Sequence, residues 1–113
     1  MSLELYFDYV SQPSRAVVHT AHLLGLDAKL NWIQIFKGEN KAPSYLQVNP
    51  KGSVPCMVED DFKLAESASI MRYLCNSKGG PEHLYPGADS KKRAQIDALL
   101  DFSGTSFRPV ITV

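Results

Sequence analysis

Two short apolar runs, Cys56-Met57-Val58 and Phe62 to Leu64, are separated only by Glu59-Asp60-Asp61. A gap that small has no room for a crossover element, so the two runs have to pair antiparallel as a hairpin. A helix over Ser67 to Ser77 follows directly, carried by Ile70, Tyr73 and Leu74 and by the Met71 and Cys75 pair at i+4, and stopped by Gly79-Gly80-Pro81. The start of the chain obeys the opposite rule. Leu3, Leu5 and Phe7 alternate with Glu4, Tyr6 and Asp8, the period of a strand with one face toward a core. Val17, Ala21 and Leu24 then repeat at i, i+4 and i+7, with Pro13 near the helix start and Gly25 at its stop. The run from Ala28 to Phe36 reads as a second strand, and the helix between makes it parallel to the first through a right-handed crossover.

A βαβ unit followed by ββα is the thioredoxin-like arrangement, an α/β fold with a four-stranded sheet. Lys37 to Pro50 turns polar around Gly38, Asn40 and Pro43, leaving room for a loop and one helical turn at Ser44 to Val48. Residues 79–89 are rich in Gly and Pro and read as a linker. Beyond them, Asp89 or Ser90 can cap a helix carrying Ile96, Leu99, Leu100, Ser103 and Phe107 on one side. The expected organisation is one α/β domain over 1–82, a linker over 83–89 and a helical segment from 90 to 113.

Lys plus Arg and Asp plus Glu both total 12, so no basic field is available to draw nucleic acid or an anionic membrane, and a small molecule or a protein is the expected partner. Cys56 and Cys75 form neither a CxxC pair nor a metal-ligand spacing, which favours a reducing, cytoplasmic setting. Glu4 and Asp8 interrupt the first apolar run, so it is no signal-peptide core, and no apolar run approaches membrane-spanning length. His19 and His22 stand at i, i+3 without acid or thiol companions and read as surface or packing residues, so no metal is expected.

Three places can carry chemistry. Redox work in a thioredoxin-like fold needs a CxxC at the start of the first helix, where the helix dipole lowers a thiol pKa. That place reads Ser11-Gln12-Pro13-Ser14, which keeps the spacing and replaces both sulfurs by hydroxyls. Thiol exchange at that position is thereby excluded, while a hydroxyl can still donate to a thiolate brought by a ligand; the plain alternative is that Ser11 only caps the helix. Val54-Pro55 opens a strand, and a cis bond there would turn the Val54 backbone toward an extended peptide; an ordinary trans proline is the alternative. Glu66-Ser67 sits at a helix mouth, where free N–H groups and the Ser67 hydroxyl suit a carboxylate and Glu66 suits an ammonium. Simple capping explains the same pair.

SQPSRA at 11–16, VNPKGSVP at 48–55 and LAESASIMRYL at 64–74, in this order and spacing, resemble the glutathione-binding domain of glutathione transferases, and the serine context resembles the theta class. The resemblance implies glutathione as co-substrate and a detoxifying conjugation of its thiolate to small electrophiles, with Ser11 as the catalytic serine. It implies that Val54, before a cis Pro55, pairs with the cysteinyl unit and that Glu66 and Ser67 hold the γ-glutamyl end. Asn40, Lys41 and Ser53 would meet the glycyl end, with Lys51 a further cation nearby. In the family an all-helical domain supplies the rest of the electrophile pocket, and here its first helix alone is expected, with an uncovered apolar face that would drive a homodimer or larger species. The alternative reading is a non-enzymatic glutathione-binding, dimerisation or protein-interaction module. A thiol-disulfide oxidoreductase would need Cys56 or Cys75 to attack.

Overall fold

The computed structural model describes residues 2–107, in two compact units that meet in sequence between Leu74 and Cys75. In the first unit, β1 (Leu3–Phe7) buries Leu3, Leu5 and Phe7 and leaves Glu4 and Tyr6 half-exposed, as the alternation requires. It lies inside a sheet ordered β2-β1-β3-β4. β2 (Lys29–Trp32) runs parallel to β1 with Leu5 opposite Leu30. β3 (Cys56–Glu59) runs antiparallel to β1 with Tyr6 opposite Cys56, and β4 (Phe62–Ala65) antiparallel to β3 with Cys56 opposite Ala65.

One core cluster joins Leu3, Leu5 and Met57 of the sheet to Val17 and Ala21 of α1 (Gln12–Leu23) and to Ile70 and Leu74 of α3 (Ser67–Ser77). Leu5, Met57, Ile70, Leu74 and Val17 are completely enclosed, and burial of each such side chain contributes about 1.5–3 kcal/mol. α1 closes as its sequence predicts: the Gly25 N–H donates to the His22 carbonyl and the Leu26 N–H to that of Ala21, with Gly25 at φ +68° where a side chain would be strained. On the opposite sheet face the ring of Tyr45, from the short α2 (Pro43–Leu46), packs on Tyr6 at 5.7 Å between centroids.

Three expectations are corrected by the structure. The second strand does not reach Phe36. The Ile33 N–H still donates to the Phe7 carbonyl at 2.8 Å, but the Asp8 carboxylate takes the Ile35 N–H at 2.9 Å and Glu39 takes the Gln34 N–H at 2.7 Å, and the chain coils into a 3₁₀ turn over Ile35–Lys37. On the sheet edge, Leu30 and Trp32 of that strand are about half exposed. The hairpin turn shrinks to Asp60-Asp61, because Glu59 stays in β3, buried and accepting from the Tyr73 hydroxyl, while Asp60 takes φ +56°, a conformation Asp tolerates. The helical turn expected at Ser44 to Val48 instead runs over Pro43–Leu46, preceded by a 3₁₀ turn at Glu39–Lys41.

In the second unit α4 (Ser90–Phe102) is capped by Asp89, whose carboxylate accepts the Lys92 N–H at 3.1 Å. Tyr85, inside the Gly/Pro-rich stretch, is buried; its hydroxyl donates to Asp97 at 2.8 Å and its ring lies 4.4 Å beneath the Arg93 guanidinium. None of the α4 residues is buried, and Leu99 and Phe102 are the most open of its large apolar side chains. The Phe107 side chain and residues 108–113 lie outside the described residues.

Candidate functional site

Sheet topology gathers the three sequence motifs. β1 runs toward the end of the sheet where β3 begins, since Tyr6 faces Cys56, and β4 returns to that same end, since Cys56 faces Ala65. Ser11, which follows β1, Val54-Pro55, which precedes β3, and Glu66-Ser67, which follows β4, therefore gather at one end of the sheet although the chain separates them widely.

Ser11 is the N-cap of α1, half-buried, with extended backbone. Its Oγ accepts the Ser14 N–H at 3.2 Å, its own N–H donates to the Asp8 carbonyl at 3.1 Å, and its carbonyl receives the Arg15 N–H at 3.0 Å. Among the described residues its hydroxyl hydrogen engages no acceptor, so the O–H is available to donate. Asp8 holds this corner. It is 3% exposed, and its carboxylate collects the Ile35 N–H at 2.9 Å, the Trp32 indole N–H at 3.1 Å and the Val10 N–H at 3.4 Å. Burial pushes its carboxyl upward, yet the N–H donors of Ile35, Trp32, Val10 and Tyr9 outweigh that and hold it below the ordinary carboxylate range.

The second part of the site is the loop Asn49 to Ser53. Asn49, 3% exposed, accepts the Lys51 N–H at 3.2 Å and donates to the Ser53 carbonyl at 2.8 Å and the Ser53 Oγ at 3.2 Å. The Tyr45 hydroxyl donates to that same carbonyl at 2.6 Å, and burial drives its pKa far up, so it stays a donor. Asn40 Nδ2 donates to the Gly52 carbonyl at 2.9 Å and Lys41 Nζ to the Lys51 carbonyl at 3.4 Å. Gly52 is there because it must be: at φ +65° a Cβ would stand 2.8 Å from Lys41 Nζ and 3.0 Å from the Asn40 carbonyl oxygen. Beyond this loop the Val54-Pro55 bond is cis, Pro55 is buried, and the Val54 N–H and C=O find no partner among the described residues. Glu66 is exposed at φ +77°, its carbonyl receiving the Ile70 N–H at 3.0 Å, and Ser67 opens α3, buried. Lys51 Nζ lies 3.7 Å from a Glu66 carboxylate oxygen.

The structure thus joins Asn40, Lys41, Ser53, Val54 and Pro55 in one loop cluster and ties it to Glu66 through Lys51. Sequence reasoning assigned no role to Asp8, Tyr45, Asn49 or Gly52, whose work is to hold the site residues in place. The Asn49-Pro50 dipeptide was the one local signal, since it marks a turn. Cys56 is buried and Cys75 half-buried; desolvation raises both thiols, which leaves them protonated and weakly nucleophilic. His19 and His22 line a groove of about 550 Å³ beside α1 with Phe7, Tyr9, Arg15 and Val18. Among the described residues no cluster of three or more His, Cys, Asp or Glu is arranged to hold a metal ion, and no helix is long and apolar enough to cross a membrane.

Known proteins resemble this chain in sequence and in fold. A family model described as the glutathione S-transferase N-terminal domain matches residues 10–77. Mouse glutathione S-transferase theta-3 is 41% identical over 112 residues, covering 99% of this chain and 46% of that protein. Human glutathione S-transferase theta-2 is 38% identical, covering 96% of this chain and 44% of its own. Among solved structures, apo human glutathione S-transferase T1-1 superposes with a TM-score of 0.89 at 34% identity over 95% of this chain and 44% of the other. Human theta-2 in complex with glutathione superposes with a TM-score of 0.88 at 38% identity over 91% and 42%. The chain spans less than half the length of these relatives.

Proposed function

The chain belongs to the glutathione S-transferase family, and from that premise we propose that its sheet-end cluster binds glutathione and activates the thiol for conjugation to small electrophiles. The observation that carries the reading is the free O–H of Ser11 at the N-terminus of α1, on the same sheet end as the cis Val54-Pro55 bond and Glu66-Ser67. Ser11 donates to the thiolate and, with the helix dipole, favours the charged form. The thiol proton leaves to solvent and the thiolate sulfur bonds to the electrophilic carbon, which either releases its leaving group with the electron pair of the broken bond or passes its π pair to the neighbouring atom, which then takes up a proton. The Val54 backbone pairs with the cysteinyl unit, and Glu66 and Ser67 take the γ-glutamyl ammonium and carboxylate. Asn40, Lys41 and Ser53 flank the glycyl end, where exposed Lys41 supplies a cation. No covalent enzyme intermediate is needed.

The domain assignment proposed with it is a glutathione-binding domain over 1–82, a linker over 83–89 and the opening helix of an all-helical domain from 90, in a cytoplasmic protein. A charge-assisted hydrogen bond contributes about 1.5–3 kcal/mol. Ser11→Ala is therefore expected to slow conjugation of a simple aryl halide about 10- to 100-fold at saturating glutathione, with glutathione affinity little changed. An unchanged rate removes Ser11 from the chemistry. A second reading, a non-enzymatic glutathione-binding, dimerisation or protein-interaction module, is favoured by Leu99, which α4 exposes at 69%. Glutathione binding without turnover, in a species that light scattering shows to be a dimer, supports that module.

A further inference from the structure

Lys51 stands where the site meets its own counter-ion. The loop that carries it is held from four sides: Asn49 fixes the Lys51 N–H and Ser53, Tyr45 fixes the Ser53 carbonyl, Asn40 the Gly52 carbonyl and Lys41 the Lys51 carbonyl. With its backbone so fixed, the Lys51 side chain extends to Glu66, and Nζ lies 3.7 Å from the carboxylate oxygen. Glu66 is fixed as firmly, at the junction of β4 and α3, with its carbonyl in the first turn of the helix. Both side chains are about two-thirds exposed, so the pair is water-screened and easily exchanged.

Resting on the reading of Glu66 as partner of the γ-glutamyl ammonium, we propose that Lys51 is a specificity-determining residue, a resident cation that the ligand's α-ammonium must displace from Glu66. Two cations cannot share one exposed carboxylate at full strength, so each ligand that carries an ammonium trades one ion pair for another. A ligand without an ammonium leaves the Lys51–Glu66 pair in place and makes no such trade. Lys51 thereby sets how much of the affinity the amino group supplies, and it does so without touching the thiol.

The test is calorimetric titration of glutathione and of a glutathione analogue lacking the γ-glutamyl α-amino group, on the wild-type protein, Lys51→Met and Lys51→Gln. Because an exposed pair of this kind is weak, removing Lys51 is expected to tighten glutathione binding about two- to fivefold and to leave the deaminated analogue unchanged. The gain should shrink as salt is raised and vanish in a Glu66→Gln background. Equal shifts for both ligands, or no gain for glutathione in either variant, overturn the proposal while leaving glutathione binding intact. Absence of glutathione binding in the wild-type protein and both variants overturns the functional reading and the role of Lys51 together. Far-UV circular dichroism of the variants, changed at a solvent-exposed position, confirms that folded proteins are compared.

Discussion

Asp8 and Asn49 do the same work in two different loops. Each is 3% exposed, each follows or precedes a turn beside the candidate site, and each gathers main-chain groups that no helix or strand satisfies. They differ in charge. Asp8 holds the Ser11 corner as an anion surrounded by N–H donors, whereas Asn49 holds the Lys51–Ser53 loop as a neutral amide that both gives and accepts. A buried anion binds its donors more strongly than an amide does, and it alone makes its loop sensitive to acid.

The largest way to break that comparison is Asp8→Ala, which strands the Ile35 N–H and the Trp32 indole N–H and is expected to cost about 3 kcal/mol in urea unfolding. Its pH signature has a definite sign. The folded-state pKa lies below the unfolded value, so the contribution is complete above about pH 4 and is lost as pH falls through the folded value. Asp8→Asn should flatten the loss of stability below pH 4, and an unchanged acid profile would show that other carboxylates govern it.

Asn49→Ala comes next, at about 2 kcal/mol, because Tyr45 still serves the Ser53 carbonyl while the Lys51 N–H loses its acceptor. Its cost should be the same at pH 4 as at pH 7, in contrast to Asp8. The smallest effect has the opposite sign. Ser14, enclosed in the first turn of α1, has a hydroxyl with no hydrogen-bond partner among the described residues, so Ser14→Ala should raise stability by about 1 kcal/mol in the same urea assay. A loss would mean that the hydroxyl is satisfied in solution.

Much of the fold could be read from residue order. The alternation of Leu3, Leu5 and Phe7, the spacing of Val17, Ala21 and Leu24, and the tight acidic turn at 59–61 specify a parallel crossover and an antiparallel hairpin, and Gly25 marks the end of α1. Reading failed where a distant side chain competed for main-chain donors. Nothing in Ile33 to Phe36 announces a 3₁₀ turn, because the acceptor that bends it is Asp8, twenty-seven residues from Ile35. The candidate residues Ser11, Val54, Pro55, Glu66 and Ser67 were visible as motifs, whereas the residues that hold their loops were not.

By itself, then, the sequence determined the elements and the chemistry each helix mouth or strand start offers, since periodicity, caps and turn residues act within a few positions of one another. Only the tertiary structure decided that Ser11, Val54-Pro55 and Glu66-Ser67 share one end of the sheet, that Asp8 and Asn49 anchor the loops around them, and that Lys51 already occupies Glu66. Those are contacts between residues far apart along the chain, and a hydrogen bond or ion pair across such a gap leaves no period in the sequence to read.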